Sequence, residues 1–311
     1  MERQVKSAPI VLFVFKRLDH AMRVVEALKK NPLCAESELY IYADGARNEE
    51  EAAEVAAVRD YCRQITGFSQ VHLRAREENY GVERNEIEAL NEMFAEHKAC
   101  IILEDDIEVS SRFLEYMNRA LQTYAEEKRV ISISAYTHIG REKKPGEQQK
   151  FYFSQLISAW GWATWADRWQ LFDDAVTMET LGDEAERRRF DLDGAYPFTE
   201  MLTQQLKEQH ITWDLAWYIT SFRNRMMSLT PAFSMVNNIG MDGSGVHYND
   251  GDITSNENRE IEMEISFDFP EKIVIDQSMR ELEKRGIGKN YRKERRKYRI
   301  KKLLVMLGIK K

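Results

Sequence analysis

Cysteine is scarce in this chain of 311 residues, which carries only Cys34, Cys62 and Cys100. An odd count without metal-type pairing argues against a disulfide framework and fits a reducing compartment, leaving the thiols as core or surface residues. Long apolar runs are missing too. No stretch reaches the roughly 18 apolar residues that a membrane-spanning helix needs. The opening MERQVKSAPIVLFVFKRLDH has too short an apolar segment for a signal sequence and too many charges for an anchor, so the expectation is a protein kept in the cytosol. Glycine is absent from the turn after the first apolar segment, FKRLDH. That excludes the Gly-rich fingerprint of a dinucleotide oxidoreductase, and the phosphate loop ending in Lys-Ser or Lys-Thr is lacking as well.

With 43% apolar and 31% charged residues, the chain can bury a sizeable core and is not disordered. Its charge is uneven. The net value is −7, yet from Lys284 onward thirteen Lys and Arg face the single acid Glu294, which leaves the preceding body near −19. The expected division is a body over 1–283, with halves 1–136 and 137–283, and a basic tail over 284–311. In the tail, Ile300, Leu303, Leu304 and Leu307 keep helical spacing beneath the Lys and Arg. That pattern suits an interfacial helix on an anionic bilayer, a helix docked on the protein's own acidic body or, less readily, a nucleic-acid contact.

The body alternates strand and helix. APIVLFVF (8–15) is a continuous apolar run, the pattern of a strand buried on both faces. A helix follows, capped by Asp19 and stopped at Asn31-Pro32. ELYIYADG, SQVHLRAR, ACIIL and VISISAY read as four more strands, with helices over 48–66, 83–97 and about 110–125 between them. Such punctuation predicts an open, largely parallel α/β sheet that binds ligands beyond the carboxyl ends of its strands. Those ends are polar: Lys16-Arg17, Asp44-Gly45 and Glu104-Asp105-Asp106. Three adjacent carboxylates raise one another's pKa unless a cation relieves them. Mg²⁺ and Mn²⁺ prefer carboxylate oxygens and often bind through one or two of them plus substrate phosphates. A helix cap or a solvated turn is the plain alternative.

Taken in order, FVFKR, YADG, YGVERNEIEAL, ILEDD, SAWGWATW and ITWDLAW resemble the nucleotide-sugar glycosyltransferases of the GT-A fold. The pattern is similar to N-acetylglucosaminyltransferase I and to bacterial sugar transferases of surface-polysaccharide synthesis, and it covers roughly residues 8 to 250. The resemblance implies a Rossmann-like mixed, mostly parallel sheet flanked by helices and a metal-dependent inverting transfer. The sugar would pass from a nucleotide diphosphate, expected to be uridine-linked, to a glycan or lipid-linked hydroxyl. It implies that Arg17 contacts the nucleotide, that Asp44 hydrogen-bonds the base, that Glu104 and Asp105 face the sugar and ribose, and that Asp106 ligates Mn²⁺ or Mg²⁺. Asp214 would be the base that takes the acceptor proton; without the family pattern, a helix cap is the simpler reading.

Arg84 stands either near the base or phosphate or as a solvated helix arginine. Trp162, Trp165 and Trp169 fit one helical face and hence core packing, with Trp160 or Trp162 lining the sugar pocket. In VNNIGMDGSGVHYND the resemblance implies a loop closing over the donor, with Gly243, Ser244 and Gly245 at the diphosphate and His247 on metal or phosphate. Lipid-linked acceptors would make the protein peripheral at the inner face of the cytoplasmic membrane through its tail. The competing class is an inactive nucleotide-sugar or carbohydrate-binding protein of the same fold. A nucleotidyltransferase would need a Gly-rich basic loop after the first strand, and none is present.

Overall fold

The computed structural model describes residues 7–139, 150–240 and 266–306, apart from the side chains of Asn290 and of residues 293–306. Strands β1 (Ile10–Val14), β2 (Glu38–Ala43), β3 (Gln70–Ala75) and β4 (Ala99–Glu104) alternate with helices α1 (Leu18–Lys29), α2 (Ala52–Arg63) and α3 (Gly81–Glu96). They form the parallel part of an eight-stranded sheet in the order β3-β2-β1-β4-β8-β6-β9-β7. Strand β1 is buried throughout because helices cover both faces. Ile10, Leu12 and Val14 enter one core with Val24, Val25 and Leu28 of α1, while Val11 and Phe13 enter a second with Ala89, Leu90 and Met93 of α3. A continuous apolar run is what such a doubly covered strand requires.

Helix α1 buries Ala21, Val24, Val25 and Leu28, the i, i+3, i+4, i+7 stripe of an amphipathic helix. It begins without a side-chain cap, and Asp19 lies inside its first turn. Its end is held by Asn31, whose buried amide donates to the Ala27 and Ser110 carbonyls and accepts from Leu114 N–H at 2.9 Å. That side chain ties α1 to α4 (Phe113–Thr123).

The second half departs from simple alternation. Strand β6 (Val130–Ser134) lies parallel to β4 but not beside it, because β8 (Trp162–Trp165) inserts antiparallel between them. The Trp-rich block is therefore a strand followed by the short helix α5 (Ala166–Trp169), not one helical face. Trp162 and Trp165 point to opposite sides of the sheet and enter different cores, as residues three apart in a strand must. Strands β7 (Phe151–Ser154) and β9 (Met227–Pro231) complete the sheet, and helices α6 (Glu184–Phe190), α7 (Phe198–Glu208) and α8 (Trp213–Arg223) surround it. The run ACIILEDDIEV contains a second strand after its acids: β5 (Ile107–Val109) pairs with β10 (Val236–Asn238) as a two-stranded ribbon.

Helix α9 spans Gln277–Met306, so residue 284 falls inside it. Its first turns pack on the body through buried Met279, Glu283 and Ile287, and Arg280 and Lys284 pair with Asp193. Among the described residues no helix is long and apolar enough to cross a membrane, and all three cysteines are buried free thiols.

Candidate functional site

Strands β1, β2, β4 and β6 run in one direction, so Arg17, Asp44, Glu104 and Tyr136 follow strands that finish at one edge of the sheet. There β4 and β5 are joined by a turn at Asp105-Asp106, with both carboxylates almost fully buried. One guanidinium nitrogen of Arg17 bonds Asp105 and also reaches Asp106 Oδ2 at 2.9 Å. Burial raises the Asp105 pKa, and the Arg17 charge opposes that shift. Burial also acts to lower Arg17, but the two aspartates outweigh it and raise the guanidinium further. The other oxygen of Asp106, Oδ1, is buried without a hydrogen-bond partner, as is Arg17 Nη1. A buried carboxylate oxygen without a donor is costly and is available to a cation.

The segment after β10 closes on this turn. Ile239 N–H donates to the Asp106 carbonyl at 2.8 Å, and Gly240 lies so close that a Cβ there would collide with the Asp106 carboxylate and press on Arg17. Among the described residues no three His, Cys, Asp or Glu side chains come together as a metal cage. A cation held at Asp106 would therefore draw further oxygen ligands from elsewhere, which suits Mg²⁺ or Mn²⁺ on a phosphate.

Glu104, half-buried at the end of β4, is pushed up to about 8 by burial and then by the charges of Asp106, Asp105 and Asp214. Asp214 sits in the first turn of α8, one residue past the start of a helix whose cap position is Thr212. It is exposed, and its Oδ1 accepts from Leu215 N–H at 2.8 Å. The sequence reading missed a fifth acid. Glu86, in the buried face of α3, is held well above the carboxylate range by burial and then by Glu104 and Asp214. Its helical period with Ala89, Leu90 and Met93 marks it as core-facing, the one signal that sequence alone could have supplied.

The remaining predicted residues divide. Asp44 is buried and already accepts four hydrogen bonds: Oδ1 from the amides of Gly45 and Tyr80, both at 2.8 Å, and Oδ2 from Asn79 Nδ2 and Gly81 N–H. It locks the end of β2 to the start of α3, and a base N–H would have to displace one of these donors. Arg84 is half-exposed on α3, stacked over Tyr80 at 3.7 Å and paired with Glu88 at 2.8 Å. Trp162, expected with Trp160 at the sugar pocket, is 1% exposed and stacks on Trp213 at 5.5 Å within the second core. Trp160 is only half-buried and meets the Tyr136 ring edge-on at 4.5 Å beside His138, whose imidazole burial pushes down to about 4. Gly161 between the two tryptophans has φ +65°, and a Cβ would press on Val236, Phe113 and Leu103, so glycine is required there. Gly243, Ser244, Gly245 and His247 lie outside the described residues.

Comparison with known proteins adds the following. The alpha-1,3-mannosyl-glycoprotein 2-beta-N-acetylglucosaminyltransferase of Arabidopsis thaliana is 24% identical over 173 residues, 53% of this chain but 39% of that protein. The matched stretch thus spans about two fifths of the curated relative's length. Among solved structures, a mannosyltransferase from Pyrobaculum calidifontis in complex with GDP-Man and Mn²⁺ is similar at TM-score 0.40 and 11% identity, over 72% of this chain and 73% of that one. S. aureus TarS is similar at TM-score 0.40 and 12% identity, over 72% and 35% of the two chains. The sequence pattern of the GNT-I family matches residues 1–177, from β1 through the acidic turn and the tryptophan strand. That is more than half of the chain, and the protein belongs to the GNT-I family.

Proposed function

We propose that the protein is a glycosyltransferase that moves a sugar from a nucleotide diphosphate to a hydroxyl of a glycan or lipid-linked saccharide, with inversion at the anomeric carbon. The observation that carries this reading is the unpartnered, buried Oδ1 of Asp106, held beside Arg17 at the carboxyl ends of the parallel strands. Family membership supports the same class of chemistry.

In this reading Asp106 holds Mn²⁺ or Mg²⁺, which when bound supplies positive charge to the diphosphate leaving group. Arg17 presents its free Nη1 to the same phosphates. Glu104 and Asp105 face the donor's hydroxyls. Asp44 acts at the base by ordering Asn79, Tyr80 and Gly81, and Arg84 borders that turn. Gly245 is assigned to the diphosphate and His247 to the metal or a phosphate by the family resemblance alone. The half-buried Trp160 offers a ring face to a sugar.

Asp214 is exposed to an arriving acceptor and takes the proton from the attacking hydroxyl. A bond forms between that oxygen and the anomeric carbon while the bond to the diphosphate oxygen breaks. Single displacement with inversion is what the family resemblance implies for one base acting opposite the leaving group.

The chain is read as a transferase body with the basic tail from residue 284 as an appendage. The dense Lys and Arg of that tail support contact with an anionic membrane surface, consistent with lipid-linked acceptors of surface-polysaccharide synthesis. The test is a panel of UDP-, GDP- and dTDP-sugars assayed for Mn²⁺-dependent turnover, with Asp214→Asn beside the unmodified protein. The variant should keep donor binding and lose roughly 10²–10⁴ in turnover. Equal turnover would remove Asp214 from the chemistry.

A further inference from the structure

Glu86 is a second buried acid without a structural explanation. It is 3% exposed, and its Oε2 has no hydrogen-bond partner. It occupies the second turn of α3, on the face that packs against the sheet, and α3 begins beyond the end of β3, at the edge where the other site residues gather. The charges that act on it most strongly are those of Glu104 at the end of β4 and Asp214 on α8, followed by Glu83 of its own helix and Asp106 of the acidic turn. All are acids. A buried carboxyl oxygen without a partner costs the fold stability.

The surroundings restrict what could relieve it. A phosphate brings negative charge into a ring of carboxylates. A metal cage is not formed, since no three such groups reach ligand geometry among the described residues. What fits is an uncharged hydrogen-bonding group, a hydroxyl or amide N–H, on a ligand lying between Glu104 and Asp214. An acceptor approaches from solvent, where Asp214 is exposed, whereas Glu86 is enclosed. Its partner is therefore the inner ring of the reacting pair.

Resting on the transferase reading above, we propose that Glu86 hydrogen-bonds a ring hydroxyl of the transferred sugar on the buried side of the pocket, and thereby helps to select which sugar is moved. It touches substrate and needs no charge change during the reaction.

The experiment is a double-perturbation cycle. The donor that turns over from among UDP-N-acetylglucosamine, UDP-glucose, UDP-galactose, GDP-mannose and dTDP-glucose is compared with its monodeoxy analogues, in the unmodified protein, Glu86→Ala and Glu86→Gln. One analogue should lose about 10–100-fold in kcat/KM with the unmodified protein. Glu86→Ala should lose a similar factor with the parent donor, and the two losses together should not multiply. Glu86→Gln, which keeps hydrogen-bonding capacity and volume, should lie between and covers the case in which the alanine variant fails to fold. Losses that multiply for every analogue, or full activity in Glu86→Gln and Glu86→Ala alike, would overturn the inference while leaving the transferase reading intact. If no donor in the panel turns over in the unmodified protein, the transferase reading fails and the inference with it.

Discussion

Two buried glutamates, in two regions of the molecule, have been solved differently by the fold. Glu283, where α9 docks on the body, accepts from Tyr152 Oη at 2.9 Å and from Ser154 Oγ at 2.9 and 2.8 Å. Burial still pushes it up to about 7, although these hydroxyls and Arg280 pull the other way. Glu86, at the edge of the sheet, is raised by burial and by the charges of other acids and keeps an oxygen without a partner. The same contrast separates Asp44, whose four bonds are all internal, from Asp106, whose Oδ1 is unpartnered. A buried carboxylate satisfied by its own chain holds the structure together. One left unsatisfied lowers stability unless something binds, and among the described residues the two such carboxylates, Asp106 and Glu86, lie at one edge of the sheet.

The largest test of this contrast falls on Asp106. Asp106→Asn should cut turnover on the order of a thousandfold and abolish the extra thermal stability conferred by Mn²⁺ with UDP. In the ligand-free protein the relief of Glu104 is offset by loss of the charge that Arg17 pairs with, so the melting temperature should shift little. A clear fall in ligand-free stability would place Asp106 among the structural acids.

Glu283 should give the opposite behaviour, an effect on stability with pH. Its folded pKa lies above the ordinary carboxylate value, so the folded state favours the protonated form. The stability it contributes is complete below about 4.5 and disappears as pH rises through about 7, a change of about 3 kcal/mol. Glu283→Gln should accordingly flatten the rise in stability between pH 8.5 and 5, measured by urea unfolding, and should be the more stable protein at pH 8.5. Parallel pH profiles for the two proteins would refute this.

Asp44→Ala leaves four donors without their acceptor and should cost about 2 kcal/mol in the same assay, together with loosening of the Asn79–Gly81 turn. The smallest effect belongs to Arg84→Ala. Its ion pairs are solvent-exposed, so stability should be unchanged in the same assay. A selective rise in donor KM would bring Arg84 into the nucleotide site, and an unchanged KM would leave it a surface residue.

Much of the architecture was legible in local pattern. The apolar run of β1, the stripe of α1 and the alternation of strands with helices through β4 each express a period of two or 3.6 that the chain carries by itself. The acidic strand end could also be read locally, because ACIILE must be buried and the acids after it must lie at its mouth. The tryptophan block could not. Trp162, Trp165 and Trp169 satisfy a helical period, but β4 and β6 stand apart and accept β8 between them. Pairing with distant strands overrode the local spacing.

Side-chain roles were divided in the same way. Arg17 and the Asp105-Asp106 turn are separated by more than eighty residues yet form ion pairs, and the strand-end rule anticipated their meeting. Asp44 was legible as a strand-end acid, but its donors come from Asn79, Tyr80 and Gly81, a turn positioned only when β2 and β3 pair. Glu86 shares the helical period of Ala89, Leu90 and Met93, but its unpartnered oxygen is visible only in the fold.

By itself, then, the sequence determined which segments are strands and helices in the first half, where the sheet's polar edge lies and which acids stand there, since these follow from burial periodicity along a continuous stretch. Only the tertiary structure decided the insertion of β8, the docking of α9 through Glu283 and the division of carboxylates into satisfied and unsatisfied. Hydrogen-bond satisfaction depends on donors brought from remote parts of the chain, and no local pattern encodes their arrival.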